Sequence, residues 1–299
     1  MERSGTRQSV LFVRLTRYCE KLKSSRMKPR RYYFMLLLIL LANTCLAQRQ
    51  RLGHDVHLFD GPALRLAQAV QQESREAIQK LVKARPGLLN YQEPTYGMTL
   101  LYCAVRNSKG GSVEELLELG ANPNILETYS GESALIRAAT NFETSAYVHL
   151  LLAHGANPNL TAKDTPGKTQ YHSPLMAAAA SRLESVQLLL AAGADLNYTS
   201  PGGDTAVMLA LMSQRVDIAG FLILEKHADI SKPLMRTFKG RNLMAVDFLR
   251  DWTFDLDSEN YRKKMLLAAY LKAQGQDYWQ APIPKHLQKL YPKGYLEKY

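Results

Sequence analysis

The feature that most constrains this chain is a short signature that returns at a nearly fixed interval. It reads Gly120-Ala121-Asn122-Pro123-Asn124, Gly155-Ala156-Asn157-Pro158-Asn159, Gly193-Ala194-Asp195-Leu196-Asn197 and His227-Ala228-Asp229-Ile230, with steps of 35, 38 and 34 residues. A second signature precedes each of these. It is carried by Gly97-Met98-Thr99-Leu100-Leu101-Tyr102-Cys103-Ala104, by Gly131-Glu132-Ser133-Ala134-Leu135-Ile136-Arg137-Ala138-Ala139, by Ser173-Pro174-Leu175-Met176-Ala177-Ala178 and by Gly203-Asp204-Thr205-Ala206-Val207-Met208-Leu209-Ala210. A period in this range marks a solenoid of stacked units. One unit cannot cover its own apolar face, so at least three must pack together.

Each part of the pattern has a physical task. The Thr or Ser accepts a backbone N–H that the first helical turn leaves unpaired. Pro174 suits that first turn, where its missing donor costs nothing. Runs such as Val186-Gln187-Leu188-Leu189-Leu190 turn apolar residues towards neighbouring units. Gly120, Gly155 and Gly193 fall where a second helix ends and φ turns positive.

The paired signatures resemble the ankyrin repeat, with the pattern G-x-T-P-L-H-x-A, two helices, then G-A-D/N-x-N. The resemblance covers roughly residues 61 to 250. It implies an all-α solenoid of helix-turn-helix units joined by short β-hairpin loops, with four clear repeats and degenerate caps. Residues 61–90 read as the first cap, in which Gly87-Leu88-Leu89-Asn90 replaces the usual terminus. Arg241 to Leu249 reads as the first helix of the last cap, and Tyr261 to Lys272 as the helix that closes the stack. The domain is expected over residues 61–275, after a lead-in at 48–60. The final segment, 276–299, lacks helical period and is expected to be extended or disordered.

The amino-terminal residues stand apart. Residues 1–47 hold ten Lys/Arg against Glu2 and Glu20, and include the apolar run Tyr32 to Ala42. That run is short for a spanning helix of about 20 residues. A basic start, a short apolar core and Cys45-Leu46-Ala47 read as a secretory signal cut after Ala47, with Met27 as the natural start. Two alternatives stay open, an uncut membrane anchor and a lipid on Cys45. Removal of the leader leaves 28 Lys/Arg against 25 Asp/Glu. The net charge of +11 thus belongs mainly to the leader, and nothing general points to nucleic acid as a partner. The sole cysteine of the mature chain, Cys103, falls among core positions, so no disulfide framework is expected.

Residues able to carry chemistry are sparse. His54 and His57 lack further metal ligands nearby. His149 and His154 are five apart, about 140° around a helix, too far round to share a metal. Asp255, Asp257 and Glu259 alternate in an acidic C-terminal stretch that also holds Trp252. They are the one place where catalysis could be sought. No metal, cofactor or small-molecule substrate is expected.

Binding has more support. Distances from the Asn that closes one unit to the Thr/Ser that opens the next are 9, 9, 14 and 8 residues. The long one carries an insertion, Thr161 to Tyr171, with a Pro-Gly turn expected to project from the stack. The resemblance implies a partner docked on the concave face made by loop tips and first helices. There the tips carry Tyr91, Tyr96, Tyr129, Tyr171 and Tyr198, with Glu93, Glu127, Lys163, Asp164 and Lys168. Helix positions Tyr102, Arg106 and Arg137 extend that surface. Tyr is a favoured interface anchor. The expectation is therefore a monomeric, non-catalytic protein-interaction module of bacterial envelope type, periplasmic or secreted, acting as an immunity or inhibitor protein or as a protective scaffold. The alternatives are a membrane-anchored adaptor and an enzyme using the acidic C-terminal region. Two sequons, at Asn159 and Asn197, lie on the same loops.

Overall fold

The computed structural model describes residues 55–163, 167, 169–237 and 240–298. The leader, with its cut after Ala47, its anchor alternative and Cys45, lies outside the described residues, as does His54.

After a 3₁₀ turn at Val56–Leu58, helices follow in pairs. The first pair is α1 (Gly61–Gln71) and α2 (Arg75–Ala84). The four clear repeats supply α3 (Leu100–Arg106) with α4 (Gly110–Glu118), and α5 (Ala134–Ala139) with α6 (Ala146–Ala153). They continue with α7 (Pro174–Ala179) and α8 (Leu183–Ala191), then α9 (Ala206–Met212) and α10 (Val216–Gly220). The last runs on as a π-helical turn, Phe221–Glu225. First helices stack on first helices and second on second, so the chain is an all-α solenoid of stacked helix pairs.

Helices of five to nine residues are too short to persist alone in water. Two things hold them here. The apolar face of each is buried in one continuous core, where Leu135, Ile136, Ala138, Val148, Leu151, Val186 and Leu189 are almost wholly inaccessible. The caps then set where each first helix begins. Thr99, Ser133, Ser173 and Thr205 each accept, at 3.2 Å, the N–H three residues on. At the other end, Gly120, Gly155 and Gly193 take φ of 86°, 81° and 86°. In the fourth repeat His227 occupies that place at 55°, where a side chain is strained.

Two ladders of polar contacts tie successive repeats. On one edge, the backbone N–H groups of Asn122, Asn157, Asp195 and Asp229 donate to the Oδ1 atoms of Asn90, Asn124, Asn159 and Asn197, at 2.7–2.9 Å. Asn124 and Asn159 also donate, to the carbonyls of Gly155 and Gly193. Asn90, in the degenerate cap, performs the same task as the closing Asn of a full repeat. On the opposite edge, the first, third and fourth clear repeats and the C-terminal cap each satisfy a carbonyl that ends an earlier first helix or its turn. Ser112 donates to Val70, Ser181 to Ala139, Arg215 to Ser181 and Trp252 to Leu211.

The C-terminal cap departs from expectation. Asn242–Leu243 pairs antiparallel with Met235–Arg236 as a two-residue strand, so the first helix of this cap, α11, spans only Ala245–Leu249. Trp252, within the acidic stretch, is 1% accessible, and its indole N–H donates to the Leu211 carbonyl at 2.8 Å. Helix α12 (Glu259–Ala273) then closes the stack. Residues 276–298 are not simply extended. They form α13 (Lys285–Leu290) and α14 (Lys293–Leu296), which bury Leu287 and Leu296 against one another. Tyr278 is buried in the main core, and Gln276 donates to the Ile230 carbonyl at 2.8 Å. Among the described residues no helix is long and apolar enough to cross a membrane.

Candidate functional site

The loops between repeats are built around acceptors rather than long strand ladders. In the first, only an isolated bridge links Gln92 and Thr99. Its conformation is set by Glu93, whose carboxylate accepts the N–H groups of Thr95, Tyr96 and Met98 at 2.7, 2.8 and 3.1 Å. The second loop repeats the device. Glu127 accepts from the N–H groups of Tyr129, Ser130 and Glu132 at 2.7, 2.7 and 3.0 Å. Both carboxylates are buried, which corrects their expected place among exposed tip residues. A carboxylate that gathers three backbone donors fixes the loop.

With the loops fixed, the tyrosines can be placed. Tyr129 is half exposed, and its ring meets Tyr96 edge to face at 5.7 Å between centroids. The Thr128 N–H donates to the Tyr96 carbonyl at 2.7 Å, which locks adjacent tips side by side. Gly97 permits this approach, since a Cβ there would come within 2.6 Å of the Thr128 methyl. Tyr91 is partly buried against Phe59, 6.4 Å away. Tyr171 and Tyr198 are partly buried further along.

The helix positions divide. Arg106 is exposed and lies 3.7 Å from Asp55. Arg137 is partly exposed one repeat on, in the register of Cys103. Tyr102 is instead buried, which corrects its expected part in the surface. Its hydroxyl donates to Glu132 at 3.0 Å across the junction, and burial pushes both the phenol and the Glu132 carboxyl above their usual ranges. Tyr102 is a joint between repeats. Cys103 is buried as well, and burial likewise holds its thiol in the protonated form.

The long insertion is anchored at its base. The Lys163 N–H donates to the Gly131 carbonyl at 3.1 Å, and Ala162 donates to His172 at 2.8 Å. Any Cβ at Gly131 would lie 2.6 Å from the Lys163 backbone, so this glycine is needed for the fit. Lys163 is exposed there. Asp164 and Lys168 lie outside the described residues. The first sequon does not present a free amide, because Asn159 uses its side chain on both Asp195 and Gly193.

The acidic C-terminal stretch shows a different arrangement. Asp255, Asp257 and Glu259 are all exposed. Glu259 pairs with Lys263 one turn along α12 at 2.8 Å, which lowers its carboxyl below the usual range. Among the described residues no group of three His, Cys, Asp or Glu side chains converges as a metal site would require.

The comparison with known proteins agrees with this architecture. The family model described as "Ankyrin repeats (3 copies)" matches residues 66–162 and again 161–233. The chain is 31% identical over 209 residues to the nuclear factor NF-kappa-B p105 subunit of Gallus gallus, which covers 68% of this chain and 19% of that protein. It is 39% identical over 191 residues to Protein PhlB of Serratia liquefaciens, with 62% and 80% covered. The B-cell lymphoma 3 protein homolog of Mus musculus is 34% identical over 152 residues, with 50% and 33% covered. The chain therefore spans only a fraction of the length of p105 and of the lymphoma protein, and most of the length of PhlB. Four capped helix pairs, the glycine termini of three of them and these matches together place the chain in the ankyrin-repeat family.

Proposed function

We propose that this chain is a non-catalytic protein-interaction module of a bacterial envelope, exported by its leader, which binds an exported partner protein and acts on it as an inhibitor or protective scaffold. The observation that carries the reading is the pair Tyr96–Tyr129. Two adjacent loop tips hold an edge-to-face aromatic pair in place through buried carboxylates, and leave one ring half exposed. A large aromatic already fixed before binding forfeits little entropy on docking, as an interface anchor should. The bacterial setting draws support from the similarity to PhlB, most of whose length the chain matches. The enzyme alternative draws no support from the acidic C-terminal carboxylates Asp255, Asp257 and Glu259, which stand exposed.

Affinity capture from the native envelope fraction tests the reading, with the full chain beside a Tyr96→Ala/Tyr129→Ala double variant. The expected result is a specific protein held by the first and released by the second, since truncating a true anchor costs about 2 kcal/mol or more. Equal recovery by both would sink the proposed surface. The intact mass of the chain recovered from that fraction addresses export separately. A chain beginning at Gln48 is expected, whereas an uncut leader would favour the membrane-anchored adaptor.

A further inference from the structure

Where the second and third clear repeats meet, their loops line a cleft of about 240 Å³. It is lined by Pro158, Asn159 and Thr161, by Ser173 and Leu175 at the start of α7, and by Asp195 and Tyr198. That is smaller than an ordinary small-molecule site and is suited to a single side chain. The comparison between repeats shows what is special about it. The position of Asp195 is Asn122 and Asn157 in the two preceding repeats, and the position of Tyr198 is Ile125 and Leu160. At this junction a carboxylate and an aromatic ring line one cleft, where the two preceding repeats carry an amide and an aliphatic side chain.

The carboxylate is not consumed by the fold. Asp195 Oδ1 accepts the Asn197 N–H at 3.0 Å, a task that Asn122 and Asn157 perform equally well with a neutral amide, at 2.9 Å. Asp229, in the next repeat, turns its charge to Ser231, whose hydroxyl and N–H both donate to it. Asp195 has no such hydroxyl and, among the described residues, no cation paired with it. The Tyr198 hydroxyl likewise has no partner among the described residues.

We propose that this cleft receives the guanidinium of an arginine presented by the partner protein, an inference that rests on the protein-binding reading above. A flat guanidinium can lie on the Tyr198 ring while its N–H fork meets the free side of Asp195 and the hydroxyl oxygens of Thr161 and Ser173. A lysine offers the charge without the plane or the fork, and binds more weakly.

The test uses the full chain and three probes, the N-acetyl, N-methylamide derivatives of arginine, citrulline and lysine, with backbone amide shifts read across 159–161, 173–175 and 195–198. Arginine is expected to move these resonances, and citrulline, which has its shape without its charge, to leave them unmoved. Asp195→Asn should weaken arginine at least about tenfold. That variant must fold, because Asn already serves at the same place in two other repeats. Tyr198→Ala should weaken it as well. Arginine bound equally by the Asp195→Asn chain, shifts centred elsewhere, or none up to millimolar probe would overturn the proposal. If the probe fails while partner capture still depends on Tyr96 and Tyr129, the cleft is wrong and the protein-binding reading stands. Loss of that capture dependence removes the reading itself, whatever the probe does.

Discussion

Single residues show how one side-chain type can carry opposite tasks. Glu93 and Glu127 look like solvated loop charges, yet each is the acceptor about which its loop is wrapped. A signal for this was present, since each stands six residues before a capping Thr or Ser. Tyr102 could be read in the same way, because its register holds Ile136, Met176 and Met208 elsewhere, all apolar. The helix caps were legible because their chemistry is local, within three residues. The pairing of Tyr102 with Glu132 was not, because it joins residues thirty apart. Lys264 is the sharpest case. It is fully buried, donates to the Trp252 carbonyl at 2.9 Å and lies 5.1 Å from the Tyr278 ring, with Arg250 also against that ring. Burial, aided by the Arg250 charge, brings its ammonium down to about 6. The unfolded chain binds a proton at Lys264 up to about pH 10.4, and the folded chain releases it above about 6. Between those limits the unfolded state holds the extra proton, so this residue makes stability rise with pH. Urea unfolding at pH 6.5 and 9 should show the wild type gaining on Lys264→Met as pH rises. A difference that is flat or reversed would refute the account.

Among the elements, helix positions followed from periodicity, because a repeated burial problem leaves a repeated apolar pattern. The C-terminal cap did not, since its anchors Trp252, Tyr278, Leu287 and Leu296 follow no period, and prolines at 282, 284 and 292 interrupt the last of them. The inserted loop was visible as an insertion, but its seat on Gly131 is a contact that no local pattern encodes. The closing asparagines belong to this scale as well. Asn124 makes two cross-junction hydrogen bonds and Asn197 makes one to Asp229. Asn124→Ala is expected to cost about 1–3 kcal/mol and Asn197→Ala about 0.5–1.5. The two sites serve separate junctions and share no partner, so the double variant should equal the sum. A marked shortfall from additivity in chemical denaturation would show that the junctions are not independent.

At the scale of the whole molecule, the repeats form one continuous core from Phe59 to Tyr278, although each unit touches mainly its neighbours. In such a stack, stability is close to a sum of units and junctions. The candidate surface was legible only in outline, as tyrosines on loop tips. Which of them face solvent depends on how neighbouring loops lean together, and no single repeat contains that information. The asparagine ladder has a mechanical consequence. Pulled from its two ends, the protein carries the load through its junctions in series, each with nearly the same polar clasp. It should yield one repeat at a time in a sawtooth, each step releasing about 110 Å of chain for a unit of roughly 34 residues. The fourth repeat lacks the helix-ending glycine and should give way at lower force than its neighbours. A stack of ankyrin repeats is in this respect also an extensible tether.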